Sequence, residues 1–183
     1  DTFERLQNRD RAGQRSVAQM KKISNEADYD LLSIDPNLGS GAPVVISDFK
    51  LPEIQLGKTD VATAVDGRKV PFQYAVVSAN NLLPSHTSDG QVNSTYADPS
   101  VPAIRPVAGN GRVAGLQEGY GKSSPALADY AAKMAADPRH GIDPNVIKAT
   151  PNPVLIRIMP KTEITRNIGD VSNVSTGLEL SPL

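Results

Sequence analysis

The sequence predicts an α/β domain, and three stretches carry that prediction. Pro153-Val-Leu-Ile-Arg-Ile-Met159 is a dense, β-branched apolar run of strand length, the pattern of a central strand. Val70, Phe72, Tyr74 and Val76 alternate onto one face of a second run that follows Asp66-Gly67, a dipeptide suited to the positive φ angles of a hairpin turn. Ser124-Pro125 then opens a segment in which Leu127, Tyr130, Ala131 and Met134 recur at helical spacing, with proline at the first helical position where its missing N–H costs nothing.

Taken in order, Ser16 can cap an amphipathic helix over roughly 16–26, in which Val17, Met20 and Ile23 form a thin apolar stripe. Asp35-Pro-Asn-Leu-Gly-Ser-Gly41 is turn chemistry, and Val44-Val-Ile46 is a short strand. Val61–Val65 pairs with Val70–Val77 as a hairpin, in which Pro71 suits an edge or the start of a strand. From Leu83 to Pro106, proline, serine, asparagine and aspartate predict a long irregular connection with one extended piece, Val101–Val107. Val113–Tyr120 reads as a helix interrupted or ended by Gly119 and Gly121, and Ser124-Pro125 starts one over about 125–137. Asp143-Pro144 starts a short helix through Lys148. The tail from Asp170 is polar apart from Leu178 and Leu180. The organisation is a charged helical lead-in, 1–42, and a domain, 43–183.

Composition removes several chemistries. The 183 residues include no cysteine, so there is no disulfide, thiolate nucleophile, cysteine-ligated zinc or iron–sulfur centre. Two histidines, His86 and His140, cannot build a histidine-rich metal site. A net charge of −1 exerts no global pull on nucleic acid or anionic lipid. The basic cluster Arg5, Arg9, Arg11, Arg15, Lys21 and Lys22 is local and diluted by Asp10 and Glu4. No apolar run approaches membrane-spanning length, and the lack of cysteine fits a cytoplasmic protein and equally one that crosses an oxidising space without misbridging.

The most informative segment is Ala108-Gly-Asn-Gly-Arg112, placed between a strand and a helix. Glycine permits a tight turn and close backbone approach, and the first amides of a helix favour an anion. Arg112 adds a forked cation, Asn110 a donor and acceptor, and Arg105 a second charge on the feeding strand, which together describe a phosphate clamp. A tight turn followed by a solvated arginine is the competing reading. Ser85-His86 lies just after the alternating strand, at the start of the long connection, and His86 is a candidate general acid or base. His140 belongs at a helix end, where it faces the helix dipole. The acids Asp60, Asp66, Asp89, Asp98, Glu118 and Asp129 are scattered, with no pair at the spacing of a two-metal centre.

Three segments in order, Val76-Val-Ser-Ala-Asn-Asn-Leu-Leu-Pro-Ser-His86, Val107-Ala-Gly-Asn-Gly-Arg-Val-Ala-Gly-Leu-Gln-Glu-Gly-Tyr120 and Asn152-Pro-Val-Leu-Ile-Arg-Ile158, resemble the DdrB-like branch of the ParB/sulfiredoxin superfamily. These domains occur in polyvalent proteins of phages and conjugative elements and in polymorphic toxins. The resemblance implies a small mixed sheet with helices packed around it. It also implies that Gly109, Asn110, Gly111 and Arg112 hold phosphate, assisted by Arg105, Ser85 and His86. The ligand would be a nucleotide such as ATP or CTP, or DNA, with Mg2+ or Mn2+ where cleavage occurs. Other domains of a parent chain or an immunity-type protein would be partners. Sulfinic acid repair is excluded because the turn has no cysteine. A metal-dependent nuclease or nucleotide hydrolase, and a non-enzymatic DNA- or protein-interaction module, both stay open on this resemblance.

Overall fold

The computed structural model describes residues 17–33, 42–46, 54–63 and 67–159. Ser16, the basic residues before it, the turn at 35–41, the hairpin tip at Asp66 and the polar tail lie outside them. Helix α1 is described over 17–26 and α2 is Tyr29–Ser33. Strands β1 (Val44–Ile46), β2 (Gln55–Thr63) and β3 (Lys69–Ser78) precede the long connection; β4 (Pro106–Ala108), α3 (Asn110–Gly121), α4 (Pro125–Ala136), α5 (Pro144–Ala149) and β5 (Pro153–Met159) follow it.

The five strands form one sheet in the order β2-β3-β5-β1-β4. β1 and β5 are parallel and every other pair is antiparallel, so the sheet is mixed and the fold is mixed α/β. β5 occupies the middle, and all its residues but Ile158 are buried, which is why its sequence reads as a continuous apolar run.

The hairpin forms, but β2 starts at Gln55, six residues before the expected Val61. Little in Gln55-Leu-Gly-Lys-Thr-Asp60 signals a strand; pairing with β3 imposes it. At Gly57 the register shifts, and Lys58 N–H donates to His140 O at 2.7 Å. A β-carbon at Gly57 would stand 2.2 Å from that carbonyl oxygen, so only glycine admits the 140–142 turn. Pro71 pairs with Val61 of β2, whereas the β3–β5 register begins at Gln73. It therefore sits on an overhang, where its missing donor leaves no described strand unpaired.

The main core lies between the sheet and the helices, around Val77, Ile156, Leu116, Leu127, Tyr130 and Met134. The described part of the lead-in joins it: Ala27, Tyr29 and Leu32 are buried in this core, and the Tyr29 hydroxyl donates to Asp137 Oδ2 at 2.7 Å. Helix α3 begins at Asn110, three residues before the expected start, and passes through Gly115 and Gly119 without a break. Gly119 does not end it, and Gly121 is its last residue; α1 lies against Gly115 and Gly119. A β-carbon at Gly115 would meet Met20 O at 2.8 Å, and one at Gly119 would stand 3.0 Å from Ser24 O and 2.2 Å from Leu127 Cδ2. Close helix packing outweighs the roughly 1 kcal/mol that each glycine costs a helix. Helices α4 and α5 start at Pro125 and Pro144, as their caps predict.

Candidate functional site

Gly109 is the N-cap of α3 and has a left-handed backbone, φ +82°. A β-carbon here would be strained by that angle and would stand 3.1 Å from Pro43 Cα and 3.4 Å from Arg112 Cζ. Arg112 thus folds back over the turn. The first intrahelical bond runs from Val113 N–H to Gly109 O at 3.0 Å, so the amides of Asn110, Gly111 and Arg112 precede the helical ladder, at the positive end of the helix dipole.

Asn110 joins this turn to the expected second segment. Its Oδ1 accepts from Ser85 N–H at 2.9 Å, and its Nδ2 donates to Pro106 O at 3.2 Å. Ser85 Oγ lies 2.9 Å from His86 Nδ1, and the His86 residue is exposed. The same loop is fixed further on. Ser88 Oγ donates to Glu118 Oε1 at 3.0 Å, and Lys21 pairs with both Glu118 and Asp89. The Lys21 ammonium holds the Glu118 carboxyl well below the usual range, down to about 2. Asn110 and Glu118, eight residues apart on α3, therefore pin both ends of the loop that carries Ser85 and His86.

Gly109, Asn110, Gly111, Arg112, Ser85 and His86 are brought together. Arg105 is not. Its Nε donates to Tyr96 O at 2.6 Å, and its Nη groups donate to the carbonyls of Ala103, Thr95, Asp98 and Val101. The expected clamp residue is instead an internal cation, around which the 95–103 loop wraps its carbonyl oxygens. That loop's bare carbonyls attract the nearest forked donor. His140 is buried at the end of α4, as a structural histidine: Nε2 meets Met134 O at 2.8 Å and Nδ1 accepts from Ile142 N–H at 3.0 Å.

Arg157, the one charged residue of β5, is buried, at 3% exposure. Its Nε donates to Ala42 O at 2.9 Å, its Cζ stands 5.6 Å from the Phe72 ring centre, and Nη2 has no hydrogen-bond partner among the described residues. Burial first, then the charge of Arg112, pushes its pKa down to about 9. It remains cationic at neutral pH. The available signal was a single charge inside an otherwise apolar central strand, since such a charge must find a partner or a function.

Among the described residues no three histidine, aspartate or glutamate side chains come together as a metal site. An apolar cleft of about 460 Å³ lies elsewhere, between α4, α5 and the start of β5, lined by Ala131, Ala135, Ile147 and Pro153. No described helix is long and apolar enough to cross a membrane.

The fold and this turn define a mixed α/β domain with a cationic helix N-terminus at one edge of its sheet. Comparison with protein-family models, with curated proteins and with solved structures finds no match for the chain.

Proposed function

We propose that the domain binds a phosphate group of a nucleotide or nucleic acid at the first turn of α3. One observation carries the reading: the left-handed Gly109 turn, the leading amides of α3 and the guanidinium of Arg112 occupy one place, a combination suited to a tetrahedral anion. The DdrB-like ParB resemblance supports it. On that resemblance the domain works in the cytoplasm of a host or target bacterial cell, inside a larger mobile-element or toxin protein. Its contacts would be other domains of that chain or an immunity-type protein. Isothermal titration calorimetry with ATP, CTP and short DNA is the test. At least one ligand should bind, and Arg112→Ala should weaken it by tenfold or more. Absence of binding, or binding indifferent to Arg112→Ala, overturns the proposal.

The Ser85–His86 contact favours a second reading, in which the imidazole moves a proton at a bound phosphoester. Strand nicking by the wild type that His86→Ala abolishes, while ligand affinity is kept, would establish it.

A further inference from the structure

We propose that residues 85–93 form a flap along α3, latched shut by Lys21 of α1, so that the lead-in helix sets whether His86 stands beside the first turn of α3. The proposal concerns a movement of the fold and goes beyond the phosphate reading, on which it does not depend.

The flap is a small hairpin of its own. Thr87 N–H donates to Gln91 O at 2.9 Å, Gly90 N–H to Thr87 O at 3.0 Å and Asn93 N–H to Ser85 O at 2.9 Å, and His86 pairs with Val92 in antiparallel sense. Gly90, at φ +81°, makes the turn at the tip. The base is fixed, because Pro84 is buried and Ser85 N–H donates to Asn110 Oδ1. From Asn110 to Glu118 the helix rises about 12 Å, and Ser85 to Ser88 spans about 10 Å of extended chain. The hairpin therefore lies along α3, base to N-terminus and tip to Glu118.

The tip is held differently from the base. Ser88 Oγ donates to Glu118 Oε1 at 3.0 Å, and the Lys21 ammonium meets both Glu118 and Asp89, the latter at 3.4 Å. No residue from 86 to 92 is buried, and Val92 is 75% exposed. Among the described residues the one apolar approach to the tip is Val17 against Gly90, and Val17 and Lys21 lie one turn apart on the same face of α1. A segment with so little buried apolar surface opens at far lower free energy than the core. Lys21 is the latch because two carboxylates lie against its single ammonium; without that charge Asp89 and Glu118 repel each other, and the tip is pushed off the helix. Opening about Ser85 and Asn93 carries His86 away from Asn110, so the Ser85–His86–Asn110 grouping belongs to the closed form.

The chain has no cysteine, so spin labels can be placed on Gln91→Cys and Ala128→Cys alone, both at exposed positions. Pulsed electron-spin distance measurement on the full chain should give one main distance in the otherwise wild-type protein. Lys21→Met should raise the population at longer distance by roughly threefold or more, and Lys21→Arg, which keeps the charge, should not. Sodium chloride at about 1 M, where the screening length falls to about 3 Å, should shift the wild type in the same direction. A control pair, Ala128→Cys with Lys148→Cys on α4 and α5, should stay unchanged throughout. Should Lys21→Met fail to fold, Ser88→Ala combined with Asp89→Asn cuts the latch from the exposed side and should give the same longer distance. A distribution that these latch variants leave as in the wild type, or a control pair that shifts along with the flap, overturns the proposal.

Discussion

The two ends of α3 are built from the same residue types to opposite purposes. Along its body, glycine brings α1 into backbone contact, and the charges there are matched: Lys21 meets Glu118, and Lys122 donates to Ser24 and Asn25. At its N-terminus, glycine turns the chain, and two arginines stand near each other in a region rich in positive charge. The body is held by a matched pair. The N-terminus instead gathers a left-handed glycine, the leading amides of the helix and a guanidinium, a combination suited to a ligand more than to packing.

The largest expected effect tests the packed end. Gly119→Val puts side-chain atoms where Leu127 and the Ser24 carbonyl already lie, and the 2.2 Å to Leu127 Cδ2 leaves no room for even the first carbon. Overpacking of this kind costs about 3 kcal/mol, read as a lower denaturation midpoint in urea. If Gly119→Val were neutral, α1 would not be a fixed part of the fold, and the contrast between the two ends would collapse.

Next is the matched pair itself. The Glu118 carboxyl is held down to about 2 from an ordinary value of 4.5. A depressed carboxylate contributes stability that is fully present above its unfolded pKa and is lost as pH falls towards the folded one. The wild type should therefore lose stability through this group between about pH 4.5 and 2, and Glu118→Gln should flatten that part of a Tm–pH curve. At pH 7 the same substitution should cost about 1 kcal/mol, through the weakened bonds to Lys21 and Ser88. Arg105→Ala should cost a similar amount, about 1–2 kcal/mol, because five carbonyls lose a charged donor and some of them can turn to water. Its phosphate affinity should be unchanged, which separates a loop-holding arginine from Arg112.

Much of the fold was legible for local reasons. Ser124-Pro125 and Asp143-Pro144 state helix starts in their own chemistry, and Asp66-Gly67 announces its hairpin between two β-favouring runs. The failures share a different cause. Gly119 looks like a helix stop until α1, some ninety residues earlier in the chain, is placed on it. Gln55–Asp60 is a strand only because β3 offers it a ladder. Arg105 and Arg157 are both arginines near apolar sequence, and which of them is surrounded by carbonyl oxygens depends on how a loop closes, a long-range property that no local window contains. The glycine turn itself was legible, since Gly109-Asn-Gly-Arg112 joins a strand to a helix in the sequence as in the fold. Its deepest cation was not.

The smallest change in stability offers the sharpest separation of the two ends. Asn110→Asp keeps an oxygen to accept from Ser85 N–H and gives up only the donation to Pro106 O, a carbonyl that also accepts from the Tyr96 hydroxyl at 2.8 Å. A carboxylate in the first turn of a helix gains from the dipole, by about 0.5 kcal/mol, so the folded protein should melt within a degree or two of the wild type. The same negative charge stands where a phosphate would bind, repels it and competes for Arg112. Affinity for phosphate ligands should fall tenfold or more, with the loss reduced at high salt because screening weakens the repulsion. A protein in which this turn serves only structure would show the unchanged melting point and no loss of binding to measure, whereas one in which the turn holds a ligand loses function while its fold stays intact.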